Sequence, residues 1–476
     1  MSSPSSDWGC YYEWTEPTPF SKQSEEIGRS FVTFPGDGKR KESKKWEAAK
    51  RQQPEYGKYA WPSRGAEAEK QSFRLQCDRH ITEYYEPTIE ELEESSERIL
   101  PQYLKYDLPE YLKTYDRERW NEMINKIKES IKPEASPGVP HARVAKRNDK
   151  LMETMGERLN AIILDRIEKI LTTPLDKLKA MSRKERLDRN LVDPVRVFVK
   201  NEPHTVQKLE EGRVRLIMSV SLTDKIIEML ISKHLTKLEI LNWKNIPSKP
   251  GIGFTPEDSA HVYDDIMNSG LPMAAADVRG WDWGVKQWQI VDAATATLLL
   301  ANETSRVYEH LMFAKAYLES ESIYQFSDGT LVQPLFKGIV NSGKYRTSRD
   351  NSFMRVRIAD LVGSRKTIAA GDDSVESYVE GAIQKYKRYG ITLKEYLPIE
   401  DGFEFCSHYY GPQGCYALNK EKMVMNLLHQ EPNNFFEYKM TMIGFASELE
   451  TRPDYEDILR LVASVGYFEV EGPHYL

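Results

Sequence analysis

Cysteine is scarce: there are four in a chain of 476 residues, and no Cys-x-x-Cys pair. That excludes a disulfide framework and fits a reducing compartment. Long apolar runs are missing too. None approaches the ~18 residues of a membrane-crossing helix, so neither a transmembrane helix nor a secretory signal is expected, and any membrane attachment would come through partners. No internal repeat is visible, which excludes a repeat architecture. An overall basic excess is also absent: 66 basic residues against 73 acidic give a formal charge of −7. This excludes a uniformly basic nucleic-acid binder but not a segregated one. Basic stretches such as His141–Arg147 and Arg183–Arg189 stand apart from acidic ones such as Glu90–Glu94 and Asp454–Asp457. A basic channel inside an acidic exterior would still draw phosphates inward, although each run read singly is a solvated helix face.

The most informative feature present is Gly371-Asp372-Asp373. Apolar, β-prone residues lead into it and Ser374-Val375-Glu376 follow, the pattern of strand, tight turn and strand. Adjacent carboxylates at a turn repel each other and call for cations, and a pair of divalent ions is the usual reason to build such a site. Taken alone, the triplet also reads as a solvated turn. A second acidic pair lies upstream: Asp277 ends a small, apolar run suited to a buried strand, and Asp282 follows past Gly280. Asp277 alone would read as a helix cap. A third segment, Asn341-Ser342-Gly343 through Thr347 to Asn351, is a Ser-Gly loop entering a helix. Thr347 and Asn351 are four apart and share a helical face, so a hydroxyl and an amide could both reach a ribose 2′-OH.

In this order, Asp277-x4-Asp282, Ser342-Gly343-x3-Thr347-x3-Asn351 and Gly371-Asp372-Asp373 resemble three palm motifs of the RNA-dependent RNA polymerases of positive-strand RNA viruses. Gly280-Trp281-Asp282-Trp283 looks most like the sobemovirus, barnavirus and polerovirus branch. The resemblance runs over roughly residues 130 to 410. Two departures, Arg279 and Ala369-Ala370, touch no ligand position. The resemblance implies an α+β right-hand polymerase with fingers, palm and thumb, the palm an antiparallel sheet backed by helices and the remainder mostly helical. It divides the chain into an N-terminal extension (1–75) bridging fingers and thumb, fingers (76–270), palm (271–410) and a small thumb (411–476).

Residue by residue, it implies two Mg2+ ions (Mn2+ as substitute) on Asp277 and Asp372 with Asp373 assisting. Asp282, Thr347 and Asn351 would read the 2′-OH, with Ser342 and Gly343 supporting. Lys200, Arg213 and Arg215 would meet the triphosphate; the two arginines alternate on an expected strand and so face one side, and guanidinium forks suit phosphate. Ser136, Gly138 and Pro140 resemble a template-guiding loop, and Phe405, Cys406 and Ser407 a primer grip. Lys394 is the candidate general acid, with Lys387 or Arg388 as alternatives because its spacing from Gly390 varies among relatives. The partners implied are a single-stranded RNA template, nascent RNA, nucleoside triphosphates and a genome-linked protein primer, the choice between primed and de novo initiation staying open. The place implied is the host cytoplasm, in viral replication complexes. A reverse transcriptase shares the acids but usually places a bulky aromatic gate where Asp282 stands. A non-catalytic RNA-binding scaffold would not need the ordered acids.

Elsewhere, residues 1–75 are polar with interspersed aromatics (Trp8, Tyr11, Tyr12, Trp14, Phe20, Trp46, Tyr59, Trp61). They are expected either to drape over the molecule on aromatic anchors or to be partly disordered alone. Residues 90–132, 150–172 and most of 412–476 read as helical, with core stripes at Leu159, Ile163, Ile167, Ile170 and at Ile227, Leu230, Ile231, Leu235. Cys406, His408 and Cys415 raise a zinc question without an evident fourth ligand.

Overall fold

The run Met273–Val278 is short, apolar and built of small side chains. It is a central strand of a four-stranded sheet in the computed structural model, which describes residues 11–466. The sheet order is Thr367–Ala370, Asp373–Ser377, Met273–Val278, Leu393–Pro398, and every pairing is antiparallel. Small side chains have a packing role here. Ala369 is fully buried, and its lack of bulk lets helix Thr347–Val362 lie against strand Thr367–Ala370. The register sets Ser374 opposite Ala276, so Asp373 and Asp277 fall side by side at one end of the sheet.

Behind this sheet lies the largest core. Helices Glu157–Thr172, Leu222–Leu241, Gln287–Leu300, Arg306–Glu319 and Thr347–Val362 meet there. Both expected stripes are buried in it: Leu159, Ile163, Ile167 and Ile170 from one helix, Ile227, Leu230, Ile231 and Leu235 from another. The helical expectation for 90–132 is met only at Ile89–Ile99 and Arg117–Lys128. Pro101 and Pro109 sit between them, and proline cannot continue a helix. The expectation for 150–172 is interrupted at Gly156, whose φ is +51°.

The largest departure from the expected, mostly helical remainder is a six-stranded sheet. Its order is Tyr12–Ser21, Ser24–Ser30, Thr330–Pro334, Tyr324–Gln325, Val195–Val199, Leu216–Ser219. Its one parallel pair joins Tyr324–Gln325 to Val195–Val199. Two of its strands come from the polar N-terminal segment, whose composition hid them. The ladder is made by backbone groups, pairing Ser24–Ser30 with Thr330–Pro334, and of the hairpin's apolar side chains only Phe20 and Ile27 are buried. Aromatics then anchor the rest of the segment. Phe20 packs with Phe73 and Phe326. Trp46, Tyr56 and Trp61 are buried among Val424, Leu428, Phe445 and Val462 of the C-terminal helices. Trp8 lies outside the described residues. The expected C-terminal helices begin only at Lys420, after strand Gly414–Ala417, and run Lys420–Leu428, Phe435–Leu449 and Tyr455–Ser464. Among the described residues no helix is long and apolar enough to cross a membrane.

Candidate active site

The two strands of the acid-bearing hairpin, Thr367–Ala370 and Asp373–Ser377, are joined by Gly371 and Asp372. Gly371 adopts φ +62°, the left-handed value a two-residue hairpin turn demands. Asp372 is therefore held at the tip, exposed to an open cleft, with Asp373 beside it and Asp277 on the neighbouring strand. These carboxylates crowd one another. Burial, then the charges of Asp372 and Asp277, push the Asp373 carboxyl up to about 7. Burial and the Asp372 charge do the same to Asp282, also to about 7. Asp372 is shifted upward too, by the protein crowding the cleft and by Asp277. Lys394 is the nearest lysine, its ammonium 3.4 Å from Asp277 Oδ2. It sits on strand Leu393–Pro398. Arg388, one of its alternatives, is instead stacked over the Tyr85 ring at 3.9 Å.

Asn351 is buried and clamped. Its Nδ2 donates to Asp282 Oδ1 at 2.9 Å, and its Oδ1 accepts from Trp281 Nε1 at 3.1 Å. Both ends of the amide are used, so any reading of a sugar by Asn351 passes through Asp282. Thr347 does not share that task. Its hydroxyl donates to the carbonyls of Asn341 and Lys344, at 2.8 and 3.1 Å, and so closes its own loop. Ser342 lines the cleft, its Oγ accepting from Met218 N at 3.1 Å. Gly343 must be glycine: a Cβ there would stand 2.5 Å from the Met218 carbonyl oxygen. This loop is thus laid directly on strand Leu216–Ser219.

That strand begins one residue after Arg215, so the two arginines lie on its extended approach and not on the strand as expected. Buried Val214 separates them and both still face the cleft. Arg215 pairs with Glu202 at 2.8 Å, Lys200 with the same carboxylate at 3.2 Å and Lys422 at 3.1 Å. Burial works to raise the Glu202 pKa, but these three cations outweigh it and bring it to about 2. Arg213 pairs with Glu211. Three further cations stand on the cleft: Arg79 and Lys208, which the sequence did not single out, and Arg279, which was expected to touch no ligand position. Burial and the charges of Arg279 and Arg213 lower the pKa of Arg79, while burial and Arg215 lower that of Lys208. The cleft, about 960 Å³, thus has an acid floor repelling itself and a basic wall doing the same.

A family profile described as "Viral RNA-directed RNA-polymerase" matches residues 42–268 and 292–418. The chain belongs to the viral RNA-directed RNA polymerase family. Asp277 and Asp282 stand in the stretch between the two matched segments. Over 406 residues, 81% of the chain, it is 36% identical to "Replicase polyprotein P2AB" of Southern bean mosaic virus (isolate Bean/United States/Arkansas). Identity is 32% to "Replicase polyprotein P2AB" of Southern cowpea mosaic virus over 87% of the chain. It is 30% to "Protein P1-P2" of Potato leafroll virus (strain Potato/Netherlands/Wageningen/1989) over 78%. The matches span only 41%, 43% and 36% of those proteins' own lengths. The resemblance to the sobemovirus and polerovirus branch is borne out.

Within this polymerase-family chain, the hairpin Phe403–Phe405/His408–Gly411 reaches the acids. Cys406 and Ser407 turn it with φ +54° and +57°, strained values for side chains other than glycine, and the Cys406 N–H donates to the Asp373 carboxylate. Phe405, Cys406 and Ser407 line a recess shared with Asp277, Asp373 and Lys394. The residues of the zinc question point elsewhere. His408 stacks on Phe254 at 3.8 Å, and Cys415 bonds Tyr410 and Ser259. The expected template-guiding loop is mostly inaccessible: Gly138 and Pro140 are buried and only Ser136 is partly open. The reason lies at the start of helix Leu222–Leu241, whose first N–H group takes the Pro137 carbonyl at 2.9 Å. Among the described residues no three His, Cys, Asp or Glu side chains are gathered into a coordination shell. The acid set is nonetheless all carboxylate oxygen and mutually repelling, which suits a hard divalent cation.

Proposed function

We propose that this chain synthesises RNA on a single-stranded RNA template from nucleoside triphosphates, in infected host cells, as the polymerase part of a viral replicase. The observation that carries the reading is one cleft in which mutually repelling acids face a wall of mutually repelling cations. Asp277 and Asp372 would hold two Mg2+ ions, with Asp373 assisting. Ions bound there would lower the pKa of the attacking 3′-hydroxyl and offset the charge of the leaving pyrophosphate. Arg213, Arg215 and Lys200 bind the triphosphate, joined by Arg79, Lys208 and Arg279 along the same wall. The 3′-hydroxyl gives its proton to solvent in the open cleft as its oxygen bonds to the α-phosphorus and the bond to pyrophosphate breaks, and Lys394 gives the pyrophosphate its proton. Asp282, steadied by Asn351, accepts from the ribose 2′-OH. That polar pair stands where an enzyme that excludes ribose would place an aromatic gate, and this favours RNA over DNA as product.

In this reading the four-stranded sheet is the palm. The six-stranded sheet belongs to the fingers, and the helices after Lys420 are the thumb. The N-terminal segment, strand-paired at one end and buried by Trp46 and Trp61 at the other, bridges them. Phe405, Cys406 and Ser407 support the primer end, which a genome-linked protein or an RNA could supply. The test is primer extension by the purified chain with single-stranded RNA, the four NTPs and Mg2+ or Mn2+, with and without primer. Template-length RNA is the expected product, and its absence under every condition would sink the reading.

A further inference from the structure

The backbone of the Gly371–Asp372 turn has two polar groups that the hairpin ladder leaves free, and one helix satisfies both. Gly371 N donates to Ser352 Oγ at 2.9 Å, and the Asp372 carbonyl accepts from Arg355 Nε at 3.1 Å. Ser352 and Arg355 are three apart on helix Thr347–Val362 and wholly inaccessible to solvent. Ser352 is itself fixed, its hydroxyl donating to the Ser348 carbonyl at 2.6 Å. Arg355 continues into a buried chain. Its Nη1 donates to the Tyr386 hydroxyl at 2.7 Å, and that hydroxyl donates to the Glu376 carboxylate at 2.7–2.8 Å. Glu376 lies on the same strand as Asp373.

The same helix also holds the other acid-bearing segment. Asn351, next to Ser352, binds Trp281 and Asp282, and the Arg355 guanidinium lies 5.9 Å from the centre of the Trp281 ring. One rigid element therefore fixes two loops whose carboxylates repel each other and would otherwise spread apart. A buried guanidinium is costly where a methionine would fill the space. Its place under an acid-bearing turn is explained if the turn needs both a hydrogen bond and a positive charge beneath it.

We propose that Ser352 and Arg355 are positioning residues: they hold the Gly371–Asp372 turn so that the Asp372 and Asp277 carboxylates stand at the separation nucleotide transfer requires. The proposal rests on the polymerase reading. The variants are Ser352→Ala, Arg355→Lys and Tyr386→Phe, the last removing only the link from Arg355 to Glu376, with Asp372→Ala as control. Four quantities are read: single-nucleotide addition rate at saturating NTP, NTP KM, primer–template affinity, and Mn2+ affinity of the free protein by electron paramagnetic resonance. A displaced turn lowers the addition rate ~10–100-fold and weakens Mn2+ binding by a similar factor. NTP KM and RNA affinity stay within about threefold of wild type. Tyr386→Phe falls between wild type and Arg355→Lys. Should Arg355→Lys fail to fold, Ser352→Ala, which removes one oxygen, carries the test. Wild-type rate and Mn2+ affinity in Ser352→Ala, beside an inactive Asp372→Ala, would overturn the proposal alone. So would rate, RNA binding and melting temperature all falling together, which marks a general structural role. Full activity in Asp372→Ala would instead remove the polymerase reading on which the proposal rests.

Discussion

Asp350 and Asp372 are both bound up with helix Thr347–Val362, and their surroundings could hardly differ more. Asp350 is 3% exposed and meets Lys344 at 3.0 Å, Arg349 at 3.3 Å and Arg346 at 3.4 Å. Burial works against its charge, but Arg346, Lys344 and Arg349 outweigh that and hold its carboxyl well below the usual range. Glu228, Glu239 and Glu319 complete a network in which each acid faces a cation. Among the described residues Asp372 makes no such ion pair: Arg355 and Arg215 offset its charge only in part, the groups around it include Asp277, Asp373 and Asp282, and its carboxyl is shifted upward. The same residue types build a strut in one place and an unfinished charge balance in the other. A protein can tolerate such an imbalance at an open cleft because solvent, and then ligands, complete it. The opposite wall repeats the point with the sign reversed, since Arg79, Arg213 and Arg279 crowd one another there.

The comparison can be broken from the cleft side first. Asp277→Ala should reduce RNA synthesis by more than ~1000-fold, with circular dichroism and RNA binding unchanged. Measurable elongation would show that Asp277 is not part of the reacting centre. Lys394→Leu should slow single-nucleotide addition by ~100-fold or more if it is the proton donor, with template affinity retained; a steady rate in rapid-quench experiments would pass that role to another group. Arg215→Ala removes a guanidinium from the basic wall and should raise NTP KM by ~10-fold. A change in kcat alone would mean that it does not meet the ground-state triphosphate. Smallest is Asn351→Ala, which frees Asp282 and should lower the preference for NTP over dNTP several-fold in competition assays. An unchanged ratio would take it out of sugar reading.

The acids were legible because their signals are local. A Gly-Asp-Asp turn between β-prone runs and an aspartate closing a small-residue strand both announce their geometry within a few residues, and the sheet register did the rest. The Asn351 clamp was half legible. Its helical face was right, but Thr347, read from the same spacing, spends its hydroxyl on its own loop. Arg79 and Lys208 left no local mark, since only the fold brings them to the wall that Arg213 and Arg215 share. The N-terminal strands were hidden because their residues are mostly polar and only Phe20 and Ile27 among the apolar ones are buried, too few to make an alternating pattern. The burial of Gly138 and Pro140 was not legible because a turn signature does not say which face of the turn is covered.

The most direct test pairs two variants that change one atom type at each contrasted site: Asp372→Asn and Asp350→Asn, each followed by thermal or denaturant melting and by primer extension. Asp350→Asn strips one charge from a compensated buried network and should cost ~3–5 kcal/mol of stability. Asp372→Asn relieves repulsion in an uncompensated one, so its melting temperature should hold or rise while RNA synthesis disappears. An Asp372→Asn protein that melts early, or one that still extends primers at the wild-type rate, would contradict the account.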